Sequence, residues 1–249
     1  MSEAPAGGPP VLVVSAHAAD FVWRAGGYIA RAVDDGSGSG SGPGAHVVCL
    51  SFGERGESAR LWKQGRTLEQ VKAVRREEAE RAAEVLGAGI TFLDAGDYPL
   101  RPSDELIDAL VQLMRRLQPG VILTHSAADP YNFDHPVAAE MTLRARVLAQ
   151  AHGYPSEHPV LGAPPVFRFE PHQPEMCGFH PDVLVDITAV FSRKREAMEA
   201  MQAQEHLWRY YSELAERRGV QAVRNGGGAG ITHAEAYQRV FPQVCEVLR

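Results

Sequence analysis

Val11-Leu-Val-Val-Ser-Ala-His17-Ala-Ala-Asp20-Phe-Val-Trp-Arg-Ala-Gly-Gly27 opens with an unbroken apolar run. That is the pattern of a parallel strand buried on both faces. A histidine and an aspartate follow, three residues apart, and then Gly26, Gly27 and an Ala-rich, helix-permissive run. In an open α/β sheet, ligands bind beyond the carboxyl ends of the strands. His17 and Asp20 stand at such an end. An imidazole nitrogen with a carboxylate oxygen is half of a catalytic zinc shell. Taken alone, Asp20 can equally cap the next helix, and His17 can be a packing residue.

The rest of the chain repeats this pattern. A helix is expected over Ala25–Val33, and a second strand over His46–Ser51, ending in Phe52-Gly-Glu54-Arg-Gly-Glu57-Ser58. Residues 67–87 predict a long amphipathic helix. Thr67 and Gln70 fit a capping box, and Gly87 stops the helix. Ile90–Leu93 is a short strand leading into Asp94-Ala-Gly-Asp97-Tyr98, and Ser103 or Asp104 caps a helix to Leu117. Val121–Thr124 delivers His125-Ser-Ala-Ala-Asp129-Pro-Tyr-Asn-Phe-Asp134-His135, with a helix from Pro136 to Ala151. A proline suits that first turn. Gly153–Pro181 reads as a proline-rich loop around Val166–Phe169, leading into Glu170-Pro-His172. Val183–Ile187 is a further strand, and residues 190–218 read as one long helix carrying Gln204 and His206. Arg224–Gly230 is a turn or flexible loop, and Ala234–Val240 closes the chain. Strands alternating with helices predict an α/β three-layer sandwich around a mainly parallel, Rossmann-like sheet. We expect residues 1–10 to be a flexible leader, residues 11–249 a single domain, and residues 35–44 a flexible Gly/Ser loop.

Composition narrows the function. An apolar content of 45% and a charged content of 22% are those of an ordinary soluble globular protein. The net charge of -6 argues against a nucleic-acid backbone as partner. No apolar run is long enough to span a bilayer, and the first residues lack a secretory pattern. Cys49, Cys177 and Cys245 are scattered and odd in number, which fits a reducing cytoplasm and gives no cysteine zinc site. The expectations are a small-molecule partner, no nucleic acid, no membrane, and a homo-oligomer.

Three strand ends carry polar clusters: His17/Asp20, Glu54/Glu57 and His125/Asp129/Asp134/His135. Each has an ordinary explanation, such as a helix cap, a solvated turn or a backbone hydrogen bond. In a parallel sheet, however, the three ends lie on one edge and can converge on a metal.

His17-Ala-Ala-Asp20 resembles the His-Pro-Asp-Asp motif of the PIG-L (LmbE-like) N-acetylglucosaminyl deacetylases, and His125–His135 resembles their second motif, which ends in Asp-His. The resemblance implies a PIG-L/LmbE-like fold and a catalytic zinc site with His17, Asp20 and His135 as ligands. Such ligands also accept Fe2+, Co2+ or Mn2+. Ala19 stands where those deacetylases carry the carboxylate that is their general base. Alanine can neither take a proton from water nor return one to a leaving amine. The wider sequence includes Ser51-Phe-Gly-Glu-Arg-Gly-Glu-Ser-Ala-Arg-Leu-Trp62, Asp129-Pro-Tyr-Asn-Phe-Asp-His-Pro136 and Phe169-Glu-Pro-His-Gln-Pro-Glu175. It closely resembles the 4-oxalomesaconate (4-carboxy-2-hydroxymuconate) hydratases of gallate and protocatechuate catabolism, over nearly the whole chain apart from the Gly/Ser loop.

That resemblance implies a tricarboxylate substrate with a conjugated carbon–carbon double bond. Hydration needs a nucleophilic water, a proton for the neighbouring carbon and charge stabilisation. Zinc brings the pKa of water to about 7. Glu54 is our first choice to orient that water and take its proton, and Glu57 our second. His172 is the candidate acid, because imidazole titrates near neutrality. Arg24, Arg55 and Arg224 are candidates to pair with the substrate carboxylates, with Asn225 and Tyr237 as neutral donors. His125 and Asp129 are candidates to orient His135, and Asp134 is a candidate either to do likewise or to cap its helix. A zinc-dependent N-acetyl amino-sugar deacetylase and a catalytically dead binding protein are the alternatives.

Overall fold

The computed structural model describes residues 9–36 and 44–246. Residues 1–8 of the expected leader and residues 37–43 of the expected Gly/Ser loop lie outside the described residues. In chain order the elements are β1 Val11–Ser15, α1 Asp20–Gly36, β2 Ala45–Cys49, α2 Ala59–Lys63, α3 Leu68–Leu86, β3 Gly89–Phe92 and α4 Asp104–Leu117. They continue with β4 Val121–Thr124, α5 Asp134–Ala149, β5 Val166–Phe169, β6 Val183–Asp186, α6 Phe191–Ala200, α7 Leu207–Arg224 and β7 Ala234–Arg239.

The strands form one sheet of seven in the order β3-β2-β1-β4-β5-β7-β6. Pairing is parallel from β3 through β5, whereas β7 runs antiparallel to both β5 and β6. Successive side chains on a strand face opposite ways, and β1 shows it. Val11 and Val13 pack in one apolar cluster with α1, α3, α6 and α7, while Leu12 and Val14 pack in another with α4 and α5. The sandwich therefore has three layers. The chain steps from β1 outward to β2 and β3, then returns to the other side of β1 with β4. This reversal opens a crevice at the carboxyl ends of β1 and β4.

The local signals hold for α3 and α4. Thr67 Oγ1 accepts from Gln70 N, the Gln70 side chain accepts from Thr67 N, and Gly87 ends α3 at φ 77. The Ser103 hydroxyl accepts from Leu106 N at the start of α4.

Three expectations change. First, α1 begins at Asp20 rather than Ala25, so Gly26 and Gly27 lie inside it. Gly27 is there for close approach: a Cβ on it would stand 2.7 Å from Ile187 side-chain atoms. Gly27→Ala should lower stability by up to about 2 kcal/mol, since overpacking costs about 1–3 kcal/mol and the better helix propensity returns about 1. A denaturant midpoint that rises instead would show that Ile187 yields. Second, the expected single helix over 190–218 is two helices, α6 and α7. Met201 leaves helical geometry at φ -85, ψ 65, and a short 3-10 turn, Gln202–Gln204, follows. Groups on α3 hold this break: Glu78 Oε1 accepts from the freed Ala203 N at 2.7 Å, and Arg75 Nη2 donates to the Gln204 side chain, at Oε1, at 2.9 Å. Third, the sequence reading assigned no helix where α2 stands.

Candidate metal centre

The site is made by chain ends leaving the sheet. Just past β1, His17 N donates to Asp20 Oδ2 at 2.9 Å, which turns the Asp20 carboxylate inward at the start of α1. Glu57 arrives after β2, Asp97 and Tyr98 after β3, and His125, Asp129 and Asn132 after β4. Asp134 and His135 form the first turn of α5.

One ligand atom from each of His17, Asp20, Glu57 and His135 lies within 4.8 Å of the others. His17 Nδ1 is 3.1 Å from Glu57 Oε1 and 3.3 Å from Asp20 Oδ2, and His135 Nε2 is 3.5 Å from Asp20 Oδ1. The other nitrogen of each imidazole meets a carboxylate. His17 Nε2 is 3.2 Å from Asp134 Oδ2, and His135 Nδ1 is 2.8 Å from Asp129 Oδ2. The two inward nitrogens, His17 Nδ1 and His135 Nε2, are buried without a hydrogen-bond partner. Leaving such atoms unsatisfied is costly. Two unpartnered imidazole nitrogens aimed at two carboxylates, each imidazole held from behind by a further carboxylate, fit a divalent metal. A second grouping, His17, Asp97 and Asp134, also closes to within 4.8 Å. Its carboxylates are already committed: Asp97 accepts from Arg55 N and Gly56 N, and Asp134 from Tyr98 N and Leu100 N. Asp97 and Asp134 therefore act as supports.

The electrostatics agree. Burial alone would raise the Asp20 carboxyl, but His125 and His135 outweigh it and hold it well below the usual range. Burial and the nearby His135 push His125 down to about 3, and its Nε2 accepts from Ala16 N at 2.8 Å.

The expected residues do not all arrive. His17, Asp20 and His135 gather, with Glu57 rather than Glu54 beside them. Glu54 is buried, its Oε2 accepts from Phe52 N at 3.1 Å, and its Oε1 is unpartnered with Arg55 Nη1 at 3.6 Å. It is not among the residues closing to within 4.8 Å. Asp134 supports His17, not His135, and gives no side-chain cap to α5. His125 stacks on His135, ring centroids 4.2 Å apart, in place of a hydrogen bond to it.

Arg24 is a buried brace: Nε lies 3.4 Å from Asp20 Oδ1 and Nη1 donates to the Glu170 carbonyl at 3.1 Å. Burial opposes its charge, but Tyr211, Asp20, Glu57 and Asp129 together keep it charged. Arg55 is half exposed and donates to the Asp97 carbonyl. Arg224 and Asn225 sit exposed at the far end of α7, where Asn225 Nδ2 donates to Gln221 O, and among the described residues neither bonds to the cluster. Tyr237 is a core residue on β7. Its hydroxyl is committed to Glu235 Oε2 at 2.7 Å and its ring packs on Tyr28. Arg224, Asn225 and Tyr237 are therefore removed from the site within one chain.

His172 is half-buried, stacked on Tyr210 with ring centroids 4.3 Å apart, and lines a cavity of about 460 Å³ with Glu170, Arg217 and Arg218. Burial and Arg24 lower its pKa, opposed by Asp129 and Glu57. Glu57 opens on the other side into a cavity of about 650 Å³. Sequence reasoning missed Asn132, whose Nδ2 donates to Glu57 Oε1, and the supports Asp97 and Tyr98. The signal was available: Asp94–Tyr98 follows a strand end on the same edge.

Fold and donor set define an α/β protein with a cluster at the switch point of its sheet that could hold a divalent metal. Residues 12–146 match the family described as PIG-L, GlcNAc-PI de-N-acetylase, and the chain belongs to that family. Among its relatives is the 4-oxalmesaconate hydratase of Pseudomonas putida, 53% identical over 241 residues that cover 95% of this chain and 91% of that one. The crystal structure of GalB, the 4-carboxy-2-hydroxymuconate hydratase from P. putida KT2440, superposes with a TM-score of 0.91 at 51% identity, covering 97% of this chain and 100% of that one. N,N'-diacetylchitobiose deacetylase from Pyrococcus horikoshii shares the fold at a TM-score of 0.74 and 21% identity, covering 93% of this chain and 84% of that one.

Proposed function

We propose that this chain is a zinc-dependent hydratase. It adds water to the conjugated double bond of 4-oxalomesaconate, also called 4-carboxy-2-hydroxymuconate, to give 4-carboxy-4-hydroxy-2-oxoadipate in gallate and protocatechuate breakdown. The observation that carries this reading is the 53% identity to a hydratase along 95% of the chain. Ala19, which cannot serve as a base, supports hydration over amide hydrolysis.

His17, Asp20 and His135 would hold the ion. When bound, it would supply Lewis acidity that acidifies a nearby water. Glu57, beside His17 and steadied by Asn132, orients the water and takes its proton. The water oxygen then forms the new C–O bond, and the π electrons move toward the conjugated carbonyl. His172 returns a proton to the neighbouring carbon, so that one water is added in all. His172 lines the 460 Å³ cavity with Glu170, Arg217 and Arg218, which supports its access to a bound small molecule. We place the protein in the cytoplasm as a homo-oligomer. Its cysteines are all unpaired, and no helix among the described residues is long and apolar enough to cross a membrane.

The test is loss of absorbance of the unsaturated tricarboxylate on metal-quantified protein. Glu57→Gln should keep the fold and lower kcat about a hundredfold or more, the usual worth of a general base, with Glu54→Gln losing under about tenfold. The reverse ranking would return the role to Glu54. Amine release from an N-acetyl amino sugar, without hydration, would make the protein a deacetylase.

A further inference from the structure

The 650 Å³ cavity beside Glu57 is of a size for a small-molecule site. It is walled by α2 on one side and by the 203–206 segment on the other. Most of its ionisable groups are already paired. Arg60 Nη1 is 2.6 Å from Glu205 Oε2 and also donates to Gln202 O. Glu57 turns to His17 and Asn132. Lys63 and His206 remain, both exposed and neither with a hydrogen-bond or ion-pair partner among the described residues. Glu57 joins this cavity to the candidate metal cluster: it lines the cavity, and its Oε1 lies 3.1 Å from His17 Nδ1.

Resting on the hydratase reading, we propose that Lys63 and His206 form the carboxylate-binding pair that holds the far end of the tricarboxylate. An ammonium and an imidazole N–H are donors suited to carboxylate oxygens. Each comes from a different wall, so an extended anion can bridge the cavity with its double bond at the Glu57 end. The wall carrying His206 is fixed in advance. The fully buried Arg75 bonds Glu78, and the two hold Gln204 and the Ala203 backbone, at 2.7 to 2.9 Å throughout. A preorganised wall loses little entropy when the ligand docks. Neither residue came from the sequence as an anion site, because the exposed cations of a helix end and a turn look alike until the cavity is known.

The experiment compares KM and kcat for the tricarboxylate in wild type, Lys63→Ala, Lys63→Gln and His206→Asn, with Arg209→Ala as a solvent-facing charge control. Circular dichroism checks each fold. KM should rise about tenfold in each cavity variant with kcat within about twofold, the pattern of lost uniform binding. KM unchanged in both Lys63 variants and in His206→Asn would overturn the assignment, as would a fall confined to kcat. Calorimetry with propane-1,2,3-tricarboxylate, which has no double bond to hydrate, separates this from the functional reading. If wild type fails to hydrate yet binds this anion about tenfold more tightly than Lys63→Ala, the subsite stands and the reaction assignment falls. Equal binding by the two proteins overturns the subsite whatever the turnover.

Discussion

Replacing His135 with alanine is expected to strip the protein of its metal and lower hydration by about a thousandfold or more, while the fold survives. The inward His135 Nε2 is one of two unpartnered imidazole nitrogens in the cluster. Without it, only His17 and the carboxylates remain for an ion that prefers mixed nitrogen and oxygen ligands. Lewis acidity contributes several kcal/mol to such reactions, and each ~1.4 kcal/mol is tenfold in rate. The cost to folding is smaller. Asp129 loses its partner at Oδ2, but its Oδ1 still accepts from the backbone of Tyr131 and Asn132. About 1–3 kcal/mol against a total near 5–15 kcal/mol leaves the protein folded. Asp129→Asn should act more mildly, lowering metal affinity about 10- to 100-fold by loosening His135. Elemental analysis, circular dichroism and turnover on the same samples check both. A His135→Ala protein that retains one metal per chain and full kcat would end the three-ligand assignment.

Ala19→Asp is the second large effect. Ala19 is fully buried, its carbonyl accepts from Val22 N and Trp23 N, and it packs in the apolar cluster with Phe21 and Val22. The position precedes Asp20 directly, so a new carboxylate would stand beside an existing one and near an incoming tricarboxylate. Like charges about 4 Å apart cost of order 4 kcal/mol in a protein-like dielectric, or about three orders of magnitude in rate. Burying the charge among apolar groups adds a stability cost of several kcal/mol unless the group takes up a proton. The variant should keep metal, lose kcat/KM by orders of magnitude, melt at a lower temperature and gain no deacetylase activity. Hydration at the parental rate would show that Ala19 is filler, and would remove the argument it carries against amide hydrolysis.

How much was legible in the sequence varies with the kind of signal. The buried run Val11–Ser15, the strand Val121–Thr124 and the Thr67/Gln70 capping box all appear where expected. The start of α1 differs because Gly26-Gly27 reads locally as an interruption, whereas in the fold Gly27 is what lets Ile187 approach. The break at Met201 was invisible because Met, Ala and Gln are all compatible with helix. It is held by residues far away in sequence: Glu78 accepts from the released Ala203 N, and Arg75 bonds the Gln204 side chain.

The same division runs through the site. Residues that leave a strand end must lie on one edge of a parallel sheet, so the sequence by itself could bring His17, Asp20 and His135 together. It could not choose between Glu54 and Glu57. They are three residues apart on one loop, and their orientation depends on Asp97 accepting from Arg55 N and Gly56 N after β3. Nor could it show that Arg24 is a brace, that Tyr237 is committed to Glu235, or that Asp134 supports His17. Periodicity and strand ends are properties of neighbouring residues. Which way a polar side chain turns is decided by the donor or acceptor that a distant segment supplies, and only the tertiary structure supplies it.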